Sequence, residues 1–337
     1  MMKQGGIAAI VWAPDSPHAE HDAQRLNASL HKIHYLRYKR PLLAPIKYVP
    51  QCLKTWAVLR RQRPSVVYVI ISPVVAALSV YIYCRLSGTP YIMDVHGHSL
   101  TSWKWAWTAP LQRALAKRAL VNIVNHPGHK RLFESWGAKS LVLERSPMSI
   151  PGDRLKQVAN PNQYSVTVVS TFTGDEPLEL VLGAAEQLPE VRFFILGDTA
   201  LAKRTLLRAA PDNVVFPGYL LGDEYWNRLY SSQAVMVLTT HPYSLLSGAV
   251  EGMALGKPLI LSRQPVLTDY FTKGTIFVDN SVESIVDGVR ELRGQEHRLT
   301  QEIVELAAEK RERWETVFQE LLALIGGDPC KASRPGG

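Results

Sequence analysis

Residues 234–261 read Ala-Val-Met-Val-Leu-Thr-Thr-His-Pro-Tyr-Ser-Leu-Leu-Ser-Gly-Ala-Val-Glu-Gly-Met-Ala-Leu-Gly-Lys-Pro-Leu-Ile-Leu. An apolar run, a polar loop, a stretch of helical composition and a second apolar run follow one another, as in a strand–helix–strand unit of a parallel sheet. Ser247 is placed to cap the helix, and Gly248 and Ala249 follow where backbone N–H groups are unpaired. Glu251 then stands one turn in. A carboxylate there has two readings: it complements the helix dipole, or it accepts hydrogen bonds from both hydroxyls of a ribose whose phosphates rest on the helix start. Gly248 and Gly256 likewise either punctuate the helix or admit a ligand, and Pro258 opens the next strand.

Outward from this unit, short β-branched runs alternate with helical stretches, which predicts parallel sheets covered by helices. In the second half the strands are expected at Ser165–Ser170, Val191–Leu196, Asn213–Phe216, Ala234–Leu238, Pro258–Leu261 and Thr275–Val278. In the first half they are expected at Ile7–Trp12, Lys32–Leu36, Val66–Ile71, Tyr91–Val95, Val121–Asn125 and Ser140–Leu143, with a helix over Ala19–His31 and another over Val49–Gln62. Polar residues around Pro151 and Pro161 separate the halves. The expected organisation is a Rossmann-like domain over 1–150, a linker over 151–164 and a second Rossmann-like domain over 165–299. A helix over 300–326 packs back on the first domain, and 327–337 forms a disordered tail.

The 337 residues, 46% apolar, can furnish a core for each domain. Cys52, Cys84 and Cys330 lie far apart with no C-x-x-C pair, which argues against a disulfide framework or a zinc site and fits a reducing compartment. Residues 66–83 carry no charge and approach the length of a membrane span. Pro73 divides them into a β-branched run and a helical one, so they read as strand, turn and helix.

Charge divides the halves. Residues 1–150 hold 20 Lys and Arg against 6 Asp and Glu, a net +14, and residues 151–337 carry a net −6. No acid occurs between Ala23 and Met93. Such a domain concentrates an anionic partner. With Tyr35, Tyr38, Tyr48, Trp56, Trp103, Trp105 and Trp107 in the same half, an anionic membrane surface is the expected partner. No nucleic-acid-binding motif accompanies the charge, so nucleic acid is not expected.

Ligands of open parallel sheets lie beyond the carboxyl ends of the strands, and two such domains place a cleft there. In the first domain Asp94-Val-His-Gly-His98 closes a strand and supplies a tight cluster of potential bases. No Asp-x-Asp pair ends a strand, so no metal and no resident cofactor are expected.

The stretch Ala249-Val-Glu-Gly-Met-Ala-Leu-Gly-Lys-Pro-Leu-Ile260 resembles a conserved block of the family-4-type retaining glycosyltransferases, also called group 1, which have the GT-B architecture of two facing Rossmann-like domains. Phe193-Phe-Ile-Leu-Gly-Asp198, Val214-Val-Phe-Pro-Gly-Tyr219 and Leu229-Tyr-Ser-Ser-Gln-Ala-Val-Met-Val237 keep the order of that family's nucleotide domain. The resemblance is good over 165–293 and looser over 60–145. It implies a nucleoside diphosphate sugar as co-substrate, with Gly218 and Tyr219 near the base, Glu251 on the ribose and the Ser247, Gly248 and Ala249 amides on the phosphates. It also implies that His96 contacts the transferred sugar; Asp94, from the same cluster of potential bases, is the second choice as a catalytic group.

Two departures stand out. The first of the family's paired glutamates falls on Tyr243, and the arginine and lysine expected after the first strand of the nucleotide domain are replaced by Ser170-Thr-Phe-Thr-Gly-Asp-Glu176. Thr171 hydroxyls, helix dipoles, or the cations Lys203, Arg204 and Arg263 are the available substitutes for phosphate contact. The expected activity is sugar transfer to a lipid-linked or polysaccharide acceptor by a cytoplasmic protein peripheral on the inner membrane face. The same architecture also serves sugar-nucleotide epimerases and, without catalysis, subunits that recruit an active transferase.

Overall fold

The computed structural model describes residues 5–14, 16–35, 44–71, 73–95, 107–144, 155–157, 163–242 and 244–326. The chain divides into two units, residues 1–146 with Trp314 onward, and residues 147–313.

The first unit runs β1 (Ile7–Val11), α1 (Pro17–Arg25), β2 (Ser29–Lys32), α2 (Ala44–Gln62), β3 (Val66–Ile70), α3 (Val74–Ser87), β4 (Tyr91–Val95), α4 (Ala109–Ala116), β5 (Val121–Val124), α5 (Pro127–Ser135) and β6 (Ser140–Val142). Its sheet has the order β2-β1-β3-β4-β5-β6, with every pair parallel. Helices cover both faces, so β3 and β4 are buried at every position, which is why their sequences are apolar without alternation. Val67, Val69, Ile92 and Met93 are fully buried, and each such side chain contributes about 1.5–3 kcal/mol. The uncharged stretch resolves into β3, Pro73 as the helix cap, and α3, which ends on Gly88 in the left-handed region at φ +70. Among the described residues no helix is long and apolar enough to cross a membrane.

The second unit runs β7 (Ser165–Val169), α6 (Leu178–Glu186), β8 (Arg192–Leu196), α7 (Arg204–Arg208), β9 (Val214–Gly218), α8 (Gly222–Ser231), β10 (Ala234–Val237), α9 (Ser247–Ala254), β11 (Leu259–Ser262), α10 (Pro265–Tyr270), β12 (Thr275–Val278) and α11 (Val282–Gly294). Its parallel sheet has the order β12-β11-β10-β7-β8-β9. The chain reverses its direction of travel across the sheet between β7 and β10, and the crevice of such a sheet opens at that point. The last helix, α12 (Glu296–Gly326), adds Ile303 and Leu306 to a core cluster of the second unit, and Trp314, Phe318 and Leu321 to one of the first.

The chain departs from the sequence pattern at β2, which forms at Ser29–Lys32 and not at Lys32–Leu36. The preceding helix stops at Arg25 because Asn27 turns left-handed at φ +49, a conformation asparagine tolerates, and the chain enters the sheet early. Within the expected linker, Lys156 is tied to the second unit: its N–H donates to Asn227 at 2.7 Å. The rest of that segment and the tail 327–337 lie largely or wholly outside the described residues.

Candidate functional site at the second sheet's switch point

Loops from four neighbouring strands converge beyond the carboxyl ends of β7, β10, β11 and β12. Thr239, fully buried just after β10, is their hub. Its N–H donates to Ser262 Oγ at 2.9 Å, and its carbonyl accepts from Asn280 Nδ2 at 3.1 Å and Gln264 Nε2 at 3.3 Å. Ser262 in turn donates to Asn280 Oδ1 at 2.7 Å. The Thr239 hydroxyl donates to Asp175 Oδ2 at 2.9 Å and accepts from the His241 N–H at 3.0 Å. Burial alone raises the Asp175 carboxyl, but hydrogen bonds from Thr173 and Thr239, and His241 nearby, outweigh it and leave its pKa below the ordinary value.

Glu176 organises the loop after β7. It accepts from Ser170 Oγ at 2.6 Å, from the Thr171 N–H at 2.9 Å and from Thr171 Oγ1 at 2.8 Å. Thr171 was read as a hydroxyl free for phosphate; its hydroxyl and amide are instead engaged by a carboxylate of the same loop. Phe172 adopts φ +55, held by its N–H bond to Ser170 Oγ at 2.9 Å. Gly197, at the end of β8, is required by close approach: a Cβ there would lie 2.3 Å from the Ser170 carbonyl. The Gly197 N–H donates to the Gly218 carbonyl at 3.2 Å, so the ends of β7, β8 and β9 touch in sequence. Gly218 is left-handed at φ +87, and Tyr219 beyond it is 70% exposed.

Helix α9 begins where the sequence placed it, with one correction. Ser247 is the first helical residue and Leu246 occupies the cap, so the expected serine cap is absent and the first turn has no side-chain cap. Gly248 is explained by packing: a Cβ would lie 2.7 Å from Val169 Cβ, so the helix start rests directly on the end of β7. The Ala249 side chain is fully buried in the core, which leaves only its backbone toward the helix start. Glu251 is half-buried and accepts the hydroxyl of Tyr225 from α8. Burial, then the Glu251 charge, pushes the Tyr225 phenol far above its ordinary range, so it remains a donor.

The expected cations are dispersed. Lys203 pairs with Glu179 at 3.4 Å, both well exposed, and Arg263 pairs with Asp279 at 3.4 Å. Arg204 stands exposed at the start of α7, with no ion-pair partner among the described residues. The cluster Asp175, Glu176 and Thr239, and the pairing of Tyr225 with Glu251, escaped the sequence reading. Only the glycine closing each of β8 and β9 signalled in sequence that these strand ends meet.

In the first unit, Asp94 is 3% exposed and accepts from Tyr68 Oη at 2.9 Å. That phenol is also 3.1 Å from Asp22 Oδ2 on α1. Burial, then Asp94 and Asp22, hold the Tyr68 phenol far above its ordinary range. Asp94 was read with His96 and His98 as a cluster of potential bases at a strand end; strand alternation turns its side chain onto the sheet face carrying α1. His96, His98, Tyr243, Tyr38, Trp103 and Trp105 lie outside the described residues. Trp56 is half-buried and donates to the Ser79 carbonyl at 3.0 Å, while Trp107 is 76% exposed. Among the described residues no cluster of His, Cys, Asp and Glu could hold a metal ion.

Residues 150–313 match the family model for glycosyl transferases group 1, and residues 1–144 match that for the glycosyl transferase 4-like domain. Sulfoquinovosyl transferase SQD2 of Arabidopsis thaliana is 29% identical over 164 residues, which cover 46% of this chain and 31% of that protein. The match thus spans about a third of that relative's length. HepE of Anabaena, solved with UDP and glucose, superposes with a TM-score of 0.71 at 13% identity, covering 96% of this chain and 99% of that one. Sucrose-phosphate synthase of Thermosynechococcus elongatus gives 0.70 at 12% identity, covering 95% and 98%. Both structural likenesses are likenesses of fold.

Proposed function

We infer that this chain, which belongs to the group 1 glycosyl transferases of GT-B architecture, moves a sugar from a nucleoside diphosphate sugar to a lipid-linked or polysaccharide acceptor at a membrane. The bond from the anomeric carbon to the diphosphate oxygen breaks with both electrons leaving on the diphosphate. The anomeric carbon bonds to an acceptor hydroxyl oxygen, whose proton departs. We assign the reaction retention of configuration, no divalent metal, and a place on the cytoplasmic face of the membrane as a peripheral protein.

The observation that carries this reading is Glu251 one turn into a helix that starts at the switch point without a side-chain cap. A ribose on Glu251 puts its diphosphate toward the Ser247, Gly248 and Ala249 amides, and Gly218 and Tyr219 flank the base. Support comes from HepE, solved with UDP and with UDP-glucose, and from the Arabidopsis relative's name as a sulfoquinovosyl transferase. His96 is assigned to the transferred sugar, and Asp94, buried two residues before it, is given a positioning role.

A thermal-shift screen against UDP, GDP, ADP and dTDP sugars tests this. A ligand at 100 times its Kd stabilises by about 2.7 kcal/mol. Glu251→Ala should erase that gain, and a wild type stabilised by none of the four would end the donor assignment. His96→Ala should lower turnover more than donor affinity.

One observation favours a second reading, in which the chain recruits an active transferase without catalysing transfer. Glu176 engages the amide and hydroxyls of the loop where the family resemblance expects phosphate-neutralising cations. Release of free sugar from the bound donor would exclude that reading.

A further inference from the structure

Two grooves of the first unit lie away from the carboxyl ends of its strands. One, of about 840 Å³, is walled by Trp56, Arg60, Arg63, Tyr83 and Leu86. The other, of about 740 Å³, is walled by Tyr81, Arg85, Lys117, Arg118 and Lys139. They share Thr89 and straddle the last turn of α3. Because β3 to β6 are parallel, the segments that lead into them emerge on one edge of the sheet, and these grooves lie along that amino-terminal edge.

Arg60, Arg63, Arg85, Lys117, Arg118 and Lys139 are all exposed, and neither groove has an acidic wall residue. Among the described residues none of the six forms an ion pair. Arg60 lies 6.0 Å from the Trp56 ring and Arg118 lies 5.9 Å from the Tyr81 ring, so aromatic walls carry the two guanidiniums. Between the grooves Leu86 is 74% exposed, one turn beyond the exposed Ile82.

Helix dipoles offer a simpler account, since α2, α3 and α4 all end on this edge and cations complement helix carboxyl ends. The second unit is an internal control for that account. Its helices also end on the amino-terminal edge of a parallel sheet, yet Glu186, Glu190 and Asp212 stand there among the cations, and Glu190 pairs with Arg293 at 3.6 Å. On the first unit's edge Glu134, at the end of α5, pairs with Lys130 at 3.8 Å and walls neither groove, so helix ends alone do not account for two grooves without an acidic wall.

We propose that this amino-terminal edge of the first unit is its docking surface for an anionic lipid bilayer, the two basic grooves taking lipid phosphates and Leu86 entering the headgroup layer between them. The proposal extends the membrane part of the function inferred above and is independent of the donor site. Charge complementarity selects the partner. A bilayer presents many phosphates in a plane beside an apolar layer, matching six cations around a protruding leucine.

Flotation of the full chain with vesicles of phosphatidylcholine, with or without phosphatidylglycerol, tests it. Binding is expected only to the anionic vesicles, and it should vanish as salt rises toward 1 M, where the screening length falls to about 3 Å. Each cation near such a surface is worth about fivefold in partition, so Arg85→Ala with Lys117→Ala should weaken binding about 25-fold. Leu86→Ser should weaken it further. Arg208→Ala with Arg290→Ala, removing the same charge from the second unit, should leave it unchanged.

If the Arg85 and Lys117 variant does not fold, Arg60→Ala with Arg63→Ala carries the same expectation on the other groove. Equal binding to neutral vesicles, an unaffected groove variant, or retention on duplex DNA without retention on vesicles would each overturn the proposal. The thermal-shift response to nucleotide sugars is read in the same preparations, so loss of docking and loss of the donor site are told apart.

Discussion

Tyr225 on α8 donates its hydroxyl to Glu251 on α9, and so ties the carboxylate proposed for the ribose to the neighbouring helix. A hydrogen bond to a charged group is worth about 1.5–3 kcal/mol. Tyr225→Phe should therefore loosen Glu251 and weaken UDP binding about tenfold by calorimetry. Unchanged or tighter binding would mean that the phenol competes with the ribose and does not orient its acceptor.

On the side of the site proposed for the phosphates, Glu176 is a charge of the wrong sign. Glu176→Gln keeps an acceptor for Ser170 and Thr171 and removes that charge. The affinity ratio of UDP to uridine should rise about fivefold to tenfold. A constant ratio would place the diphosphate away from this loop.

Gly248 is set by packing, so Gly248→Ala should destabilise by overpacking against Val169, by about 1–3 kcal/mol. For a unit of this size each kcal/mol lowers Tm by about 2–4 °C. Combining it with Val169→Ala should recover part of the loss. Strictly additive melting temperatures would show that the two sites are uncoupled.

The Asp175 carboxyl, held below its ordinary value of 3.8, contributes stability that is present above that value and is lost as pH falls through the lowered one. Urea midpoints of the wild type and Asp175→Asn should differ near neutral pH and converge in acid. A gap that persists at low pH would assign Asp175 a role independent of its charge.

Both sheets were legible because strands buried on two faces must be apolar along their whole length, as Val66–Ile70 is. The misplaced β2 traces to one backbone conformation at Asn27, which no periodicity reports. Glu251 was legible through local cues, a helix start and its punctuation. The hub at Thr239 was not. Asp175, Ser262 and Asn280 come from three other strand ends, and only parallel register brings them to it. The burial of Asp94 was not legible either, because its carboxylate accepts from the Tyr68 hydroxyl on the neighbouring strand, a pairing set by sheet register.

The last helix has a consequence for the order in which this protein is assembled. The second unit is one uninterrupted stretch of chain, but the first needs Trp314, Phe318 and Leu321 to cover Ala23, Leu26 and their neighbours. The second unit, which takes Ile303 and Leu306 from the earlier part of the same helix, can therefore close while the first still exposes an apolar face until Trp314, Phe318 and Leu321 follow. Nascent chain of the first unit thus waits for the last helix to emerge, and maturation runs against the direction of synthesis.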